Sequence, residues 1–193
     1  MKKRIVAFML AAMMCTAAFT ACSSGKETQE NTENTPSVEE TVEKEEVMVE
    51  LNDIVTAVKE AYGENYLPSM PYEEAMLSDV FGITMDDVEE WFAEGPMMSA
   101  HIDTFIVLKA KEGKVDSLKA ELEAYLEQQK NDAMCYPNNL IRIQSGQVLS
   151  VGDYAIYMML GGYDDAATTD EEIAAHAEEM AKVGVDAINT LFA

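Results

Sequence analysis

The sequence predicts an α+β fold: a small antiparallel sheet of about three strands with helices packed on one face, preceded by two or three short helices. Three observations carry that expectation. Apolar residues recur at helical spacing in several separated blocks. The period changes to alternation between His101 and Lys111. Two apolar runs also flank a Gly-Asp pair at Gly152-Asp153, the composition of a tight hairpin turn. A chain of 193 residues, 48% hydrophobic, has length for one ordinary core and not comfortably for two.

Taken in order, the chain begins with Lys2-Lys3-Arg4 and an uncharged run from Ile5 to Ala21, the pattern of a secretory signal. The run is marginal as a membrane span, which takes about 20 apolar residues. Phe19-Thr20-Ala21-Cys22 resembles a bacterial lipobox, with Phe where Leu is usual, so Cys22 is the expected lipidation site. Cys15 follows Met13-Met14, too bulky for a small-residue cleavage site. Two acyl chains on one cysteine give stable anchoring where one is marginal. The expected organisation is a signal peptide at 1–21, a lipidated cysteine and acidic disordered tether at 22–50, and one globular domain at 51–193.

Between Ser23 and Glu50 stand nine Glu and two Lys, with Val38 and Val42 the only apolar residues before Val47. Such a segment buries too little apolar surface to offset chain entropy and reads as a spacer, on the order of 30 Å in root-mean-square span. From Leu51 the residues Leu51, Ile54, Val55, Val58 and Tyr62 mark one helical face, closed by Gly63. A loop with Pro68 and Pro71 leads to a short helix over about 72–80. Thr84, with Asp87 three residues on, is expected to cap a further helix that Gly95-Pro96 ends. The first strand follows, with Ile102, Ile106, Leu108 and Ala110 on one face and Phe105 and Val107 on the other. Val115, Leu118, Leu122, Tyr125 and Leu126 form the apolar stripe of an amphipathic helix, and a short helical turn precedes Gln147. The strands at 148–151 and 154–160 form the hairpin, and the first strand is expected to pair antiparallel with the third. Thr169 and Glu172 compose a capping box for a final helix with Ile173, Ala177, Met180, Gly184, Ile188 and Leu191 along its buried stripe.

Charge narrows the partners. With 13 Lys+Arg against 36 Asp+Glu the chain carries −23, and a surface this acidic repels phosphate backbones, so no nucleic acid is expected. The expected partners are the membrane, through the anchor at Cys22, and an unknown extracytoplasmic protein or small ligand.

The segment from Leu67 to Gly161 resembles a family of small lipoproteins from Gram-positive anaerobes, catalogued as domain of unknown function forty-three fifty-eight. Leu67-Pro68, Met76-Leu77, Phe81-Gly82-Ile83, Gly95-Pro96-Met97-Met98-Ser99, Lys109 to Val115 and Gly152-Asp153-Tyr154 carry the resemblance. It implies placement on the outer side of the cytoplasmic membrane and brings no activity or catalytic residues with it.

Catalytic signatures are sparse. The sequence has no Gly-x-Ser-x-Gly elbow, no His-Glu-x-x-His, no Cys-x-x-Cys and no phosphate-cradling glycine loop, and no cofactor is implied. Met97-Met98-Ser99-Ala100-His101 combines thioethers with an imidazole, ligands that suit copper(I) outside the cytoplasm, and makes Met97, Met98 and His101 the candidate ligand or metal residues. Met is equally an ordinary core filler. His176 reads as a solvated helical histidine. Cys135 reads as a buried small hydrophobe, and Trp91 as packing between helix and sheet. The expectation is therefore a membrane-anchored, non-enzymatic binding or interaction module. The alternative is a small extracytoplasmic enzyme or metal-handling protein using His101 with neighbouring Met or carboxylate groups.

Overall fold

A computed structural model describes residues 49–98, 100–132 and 136–193. The signal peptide, Cys15, Cys22, nearly all of the tether, and Cys135 lie outside the described residues. Helix α1 (Leu51–Tyr62) is followed by a 3-10 turn, the two-residue strand β1 (Met70–Pro71), helix α2 (Glu74–Asp79), a second 3-10 turn (Met85–Asp87) and strand β2 (Val88–Gly95). Then come β3 (Thr104–Ala110), α3 (Val115–Lys130), α4 (Pro137–Ile143), β4 (Gln147–Val151), β5 (Tyr154–Met159) and the long α5 (Asp170–Leu191).

The strands form one sheet in the order β1-β2-β3-β5-β4, every neighbouring pair antiparallel. The class is α+β as expected, with five strands rather than about three. The hairpin forms as read, Val151 facing Tyr154 across Gly152-Asp153, where Gly152 supplies a φ of 53°. The first long strand of the reading, β3, pairs antiparallel with the last, β5.

Helices cover both faces of the sheet, not one. Strand β3 sits centrally, and its alternation sends Phe105 and Val107 into a core with α1 and α5. Ile106, Leu108 and Ala110 enter a second core with α2, α3 and α4. β5 divides in the same way: Ile156 and Met158 pack on the first side, Ala155, Tyr157 and Met159 on the second. An uninterrupted apolar run such as Phe105–Leu108 is what a strand buried on both faces requires.

The helix expected after Thr84 is a strand. Asp87 donates its N–H to the Thr84 carbonyl at 2.9 Å, closing only a 3-10 turn. The Thr84 hydroxyl is drawn away, donating to Glu121 Oε1 of α3 at 2.7 Å. β2 then carries a bulge between Val88 and Glu90. The extra residue puts Val88 and Trp91, three positions apart, into the same core. That spacing imitates a helical one. The expected capping box at the last helix does form: Glu172 N–H to Thr169 Oγ1 at 3.2 Å, and Thr169 N–H to Glu172 Oε2 at 3.1 Å. Among the described residues no helix is long and apolar enough to cross a membrane.

Candidate functional site

The most heavily constructed polar feature lies where β3 begins, α4 ends and the chain leaves β5. Asp103, one residue ahead of β3, has no exposed surface, and Arg142 of α4 is 1% exposed. Their side chains meet as a fork, Nη1 to Oδ2 at 3.2 Å and Nη2 to Oδ1 at 3.1 Å. Asp103 Oδ1 also accepts the N–H of Gly162 at 2.8 Å. One carboxylate thus joins three segments that are remote in sequence. Arg142 Nε is buried without a hydrogen-bond partner among the described residues.

The loop after β5 is shaped for this junction. Gly161 has a φ of 104°, and a Cβ there would lie 2.3 Å from Met180 Cβ, so only glycine lets α5 approach. The chain then delivers Tyr163 over the guanidinium, whose central carbon lies 4.4 Å from the ring centroid. The Tyr163 hydroxyl reaches Asn139 Oδ1 and, at 3.3 Å, the Ala100 carbonyl; the Asn139 amide donates to that carbonyl at 3.0 Å. His101 meets the same ring edge-on, with centroids 5.2 Å apart.

Two clefts flank Tyr163 and share it and Asn138 as a common wall. The first, about 400 Å³, is lined by His101, Tyr136, Pro137 and Asn139. The second, about 230 Å³, is lined by Arg142, Asp164, Asp165 and His176. The chain has two histidines, and each lines one of these clefts. His176 is half-buried with Nε2 3.3 Å from the Gly161 carbonyl, so the expectation of a solvated surface histidine is corrected. Its place on the inner side of α5 follows from the packing of that helix over Gly161.

Of the expected site residues, His101 lines the first cleft. Met97 and Met98 stand on the same loop, 74% and 60% exposed, and line neither cleft. Met158 and Met159 are buried in opposite cores of the sheet. Among the described residues no group of three or more His, Cys, Asp or Glu side chains is arranged to hold a metal. The described residues of the two clefts include no Ser, Thr or Cys. What they offer is aromatic surface, amides, imidazoles and, on one side, carboxylates: groups for stacking and hydrogen bonding.

Sequence reasoning passed over Asp103, Asn139, Arg142 and Tyr163. A signal for one of them existed. Arg142 is the only arginine after Arg4 and stands in an apolar run, Leu140-Ile141-Arg142-Ile143. Arginine among lysines marks a position where the planar fork, not merely a positive charge, is needed.

A three-layered α+β domain with a buried ion pair under a pair of open clefts defines the kind of protein this is. The family model described as "Domain of unknown function (DUF4358)" matches residues 61–160, more than half of the chain, and the chain belongs to that family. The matched segment holds His101, Asp103, Asn139 and Arg142 and stops short of Tyr163 and α5. No curated protein and no solved structure matches the chain.

Proposed function

We propose that this protein is a lipid-anchored, extracytoplasmic binding module, tethered at Cys22 and holding a small neutral or cationic ligand in the clefts beside Tyr163. The observation that supports the binding role is the shared wall. A half-exposed tyrosine is fixed from below by a buried bidentate ion pair and from the side by Asn139, which leaves its ring preorganised between two openings. The ligand class follows from the lining: a flat apolar face to stack on tyrosine, and hydroxyl or amide groups for Asn138 and the imidazoles. Anions are disfavoured by Asp164, Asp165 and the acidity of the whole chain. The amino-terminal charge pattern and the lipobox-like residues before Cys22 support the anchor.

A thermal-shift screen of saccharides, amines and short peptides against the full chain and its Tyr163→Ala variant tests the site. The expected result is a stabilising ligand for the parent and loss of that shift in the variant. A shift of equal size in both proteins places binding elsewhere. For the anchor, a fatty-acid label should be incorporated by the parent and not by Cys22→Ala; retention of label and membrane association by the variant would remove the claim.

A second reading, metal handling by Met97, Met98 and His101, draws on one contact: the His101 N–H donates to the Met98 carbonyl at 3.0 Å, a backbone turn that brings the Met98 and His101 positions close on one loop. Titration with copper(I) against a chromophoric chelator decides it. Equal affinities for the parent and His101→Ala would rule the reading out.

A further inference from the structure

The two edges of the sheet are built differently. β1 has two residues, and one of them, Pro71, lacks an N–H, so that edge cannot propagate a ladder. β4 has five residues, Gln147–Val151, with no proline, no charge and an unbroken register against β5. Proline, charge and a bulge, three usual protections of an edge strand, are absent there.

The hydrogen-bonding direction of β4 follows from its turn. A two-residue loop makes Val151 and Tyr154 a bonded pair, so alternation assigns Val151, Leu149 and Gln147 to bonds with β5. The other side of β5 agrees, because the Ala110 N–H donates to the Asp153 carbonyl at 2.7 Å, giving odd-numbered residues of that strand to β3. Val148 and Ser150 therefore present their N–H and C=O groups outward. No strand lies beyond them among the described residues, and Ser150 is exposed. Beside the start of this edge runs a groove of about 380 Å³ between Ile141, Gln144 and Ser145 on the α4 side and Ala174, Glu178, Ala181, Lys182 and Val185 of α5, with Gln147 the β4 residue in its wall; its two charged side chains are of opposite sign. Small side chains at two of these α5 positions leave room for the side chains of an added strand.

Charge selects the occupant. From Val49 onward the chain has 8 Lys+Arg and 28 Asp+Glu, so 8 − 28 = −20. A second copy would bring −20 against −20, whereas a basic strand is steered toward the domain and meets no charge in β4 itself. We propose that the β4 edge docks an extended basic segment of a partner protein as a sixth strand, with apolar residues alternating with Lys or Arg. Its apolar residues continue the surface of Leu149 and Val151 on the α5 side.

The test uses the full chain and a fluorescent seven-residue peptide alternating lysine and valine, blocked at both ends, read by anisotropy. Ser150→Pro removes one outward N–H and leaves the net charge unchanged, and proline is tolerated at an edge position whose N–H is unbonded. The lysine peptide is expected to bind, with affinity falling about tenfold or more in Ser150→Pro. The same peptide N-methylated on alternate amides, and a glutamate-valine counterpart, are expected not to bind. Should Ser150→Pro fail to fold, the N-methylated peptide still separates ladder pairing from charge attraction. Tyr163→Ala is expected to bind the lysine peptide like the parent. Absence of binding, equal binding of the methylated peptide, or equal binding by a folded Ser150→Pro overturns the proposal. A concentration-dependent dimer abolished by Ser150→Pro would instead assign the edge to a second copy.

Discussion

Two ion pairs in this molecule each place a cation against a tyrosine, and they do different work. Asp103–Arg142 is sealed, with 0% and 1% exposure, forked, and joined by the Gly162 N–H. Lys59–Glu94 is a point contact of 2.9 Å with 36% and 17% exposure, where Lys59 lies 4.7 Å from the centroid of Phe92 and 5.1 Å from that of Tyr66. The first fixes loops and a helix that share no ladder; the second fastens α1 onto β2, two elements already held by the apolar core. Burial makes half of a pair costly to remove, and here the sealed pair adds to the hydrogen bonds of Asn139 and Tyr163 that join the same segments.

The largest effect should come from halving the sealed pair. Asp103→Ala leaves a guanidinium in the interior without its counter-charge and frees the Gly162 turn, a loss of about 3 to 5 kcal/mol by denaturant unfolding. A loss below 1 kcal/mol would mean that the junction relaxes to water and is not sealed. The double variant Asp103→Leu with Arg142→Met sharpens the point. Replacing both charges with apolar groups is expected to recover most of that stability, because the desolvation cost disappears along with the attraction. Ligand shifts at the Tyr163 clefts should not recover, since the ring then has no guanidinium beneath it. Recovery of both would make the pair dispensable scaffolding.

The contrast also marks which parts of the molecule could be read from sequence. The stripe of α1, the alternation of β3, the Gly152-Asp153 hairpin and the Thr169 cap are local patterns, each set by neighbours within a turn or two, and each forms as expected. β2 escaped because Thr84 with Asp87 has the composition of a helix cap, whereas the Thr84 hydroxyl is taken by Glu121 and the two residues close only a 3-10 turn. β1 escaped because a proline-containing loop resembles no strand until Met70 and Pro71 find Gly95 and Glu94. The candidate site was hidden for a further reason. Asp103 and Arg142 are 39 positions apart, and Asp103 and Gly162 are 59. No periodicity connects such residues; only the strand order β3-β5 and the position of α4 bring them together. His101 was found by its chemistry alone, and its real neighbour is the ring of Tyr163.

A smaller effect is expected at the open pair. Glu94→Gln keeps the shape and a hydrogen-bond acceptor for Tyr66, and removes one charge from a pair that solvent already screens. The cost should be about 0.5 to 1 kcal/mol, and 1 M salt should shrink the difference between parent and variant. The same salt should leave the penalty of Asp103→Ala unchanged, because no ions reach that pair. If Glu94→Gln costs as much as Asp103→Ala, exposure is the wrong variable and the aromatic rings around Lys59 seal the pair.

The finest distinction is read from a phenol. Tyr66 donates its hydroxyl to Glu94 Oε2 at 2.9 Å, and its pKa lies far above the ordinary tyrosine value, first because of burial and then because of the Glu94 charge and hydrogen bond. Burial as the leading cause also pushes Tyr62 and Tyr125 up to about 12. In each case the folded state holds the proton more tightly than the unfolded chain. The resulting stability is therefore complete below about pH 10, the value for an unperturbed phenol, and is lost as pH rises from there through the folded pKa. Glu94→Gln removes the carboxylate's contribution and leaves burial. NMR of carbon-labelled tyrosine should show Tyr66 titrating at lower pH than in the parent, yet still above an ordinary tyrosine, while Tyr62 and Tyr125 stay where they were. A Tyr66 that falls to the ordinary value would make the carboxylate, and not the apolar packing of α1 on β2, the main cause of its shift. The open pair would then resemble the sealed one in depending on charge.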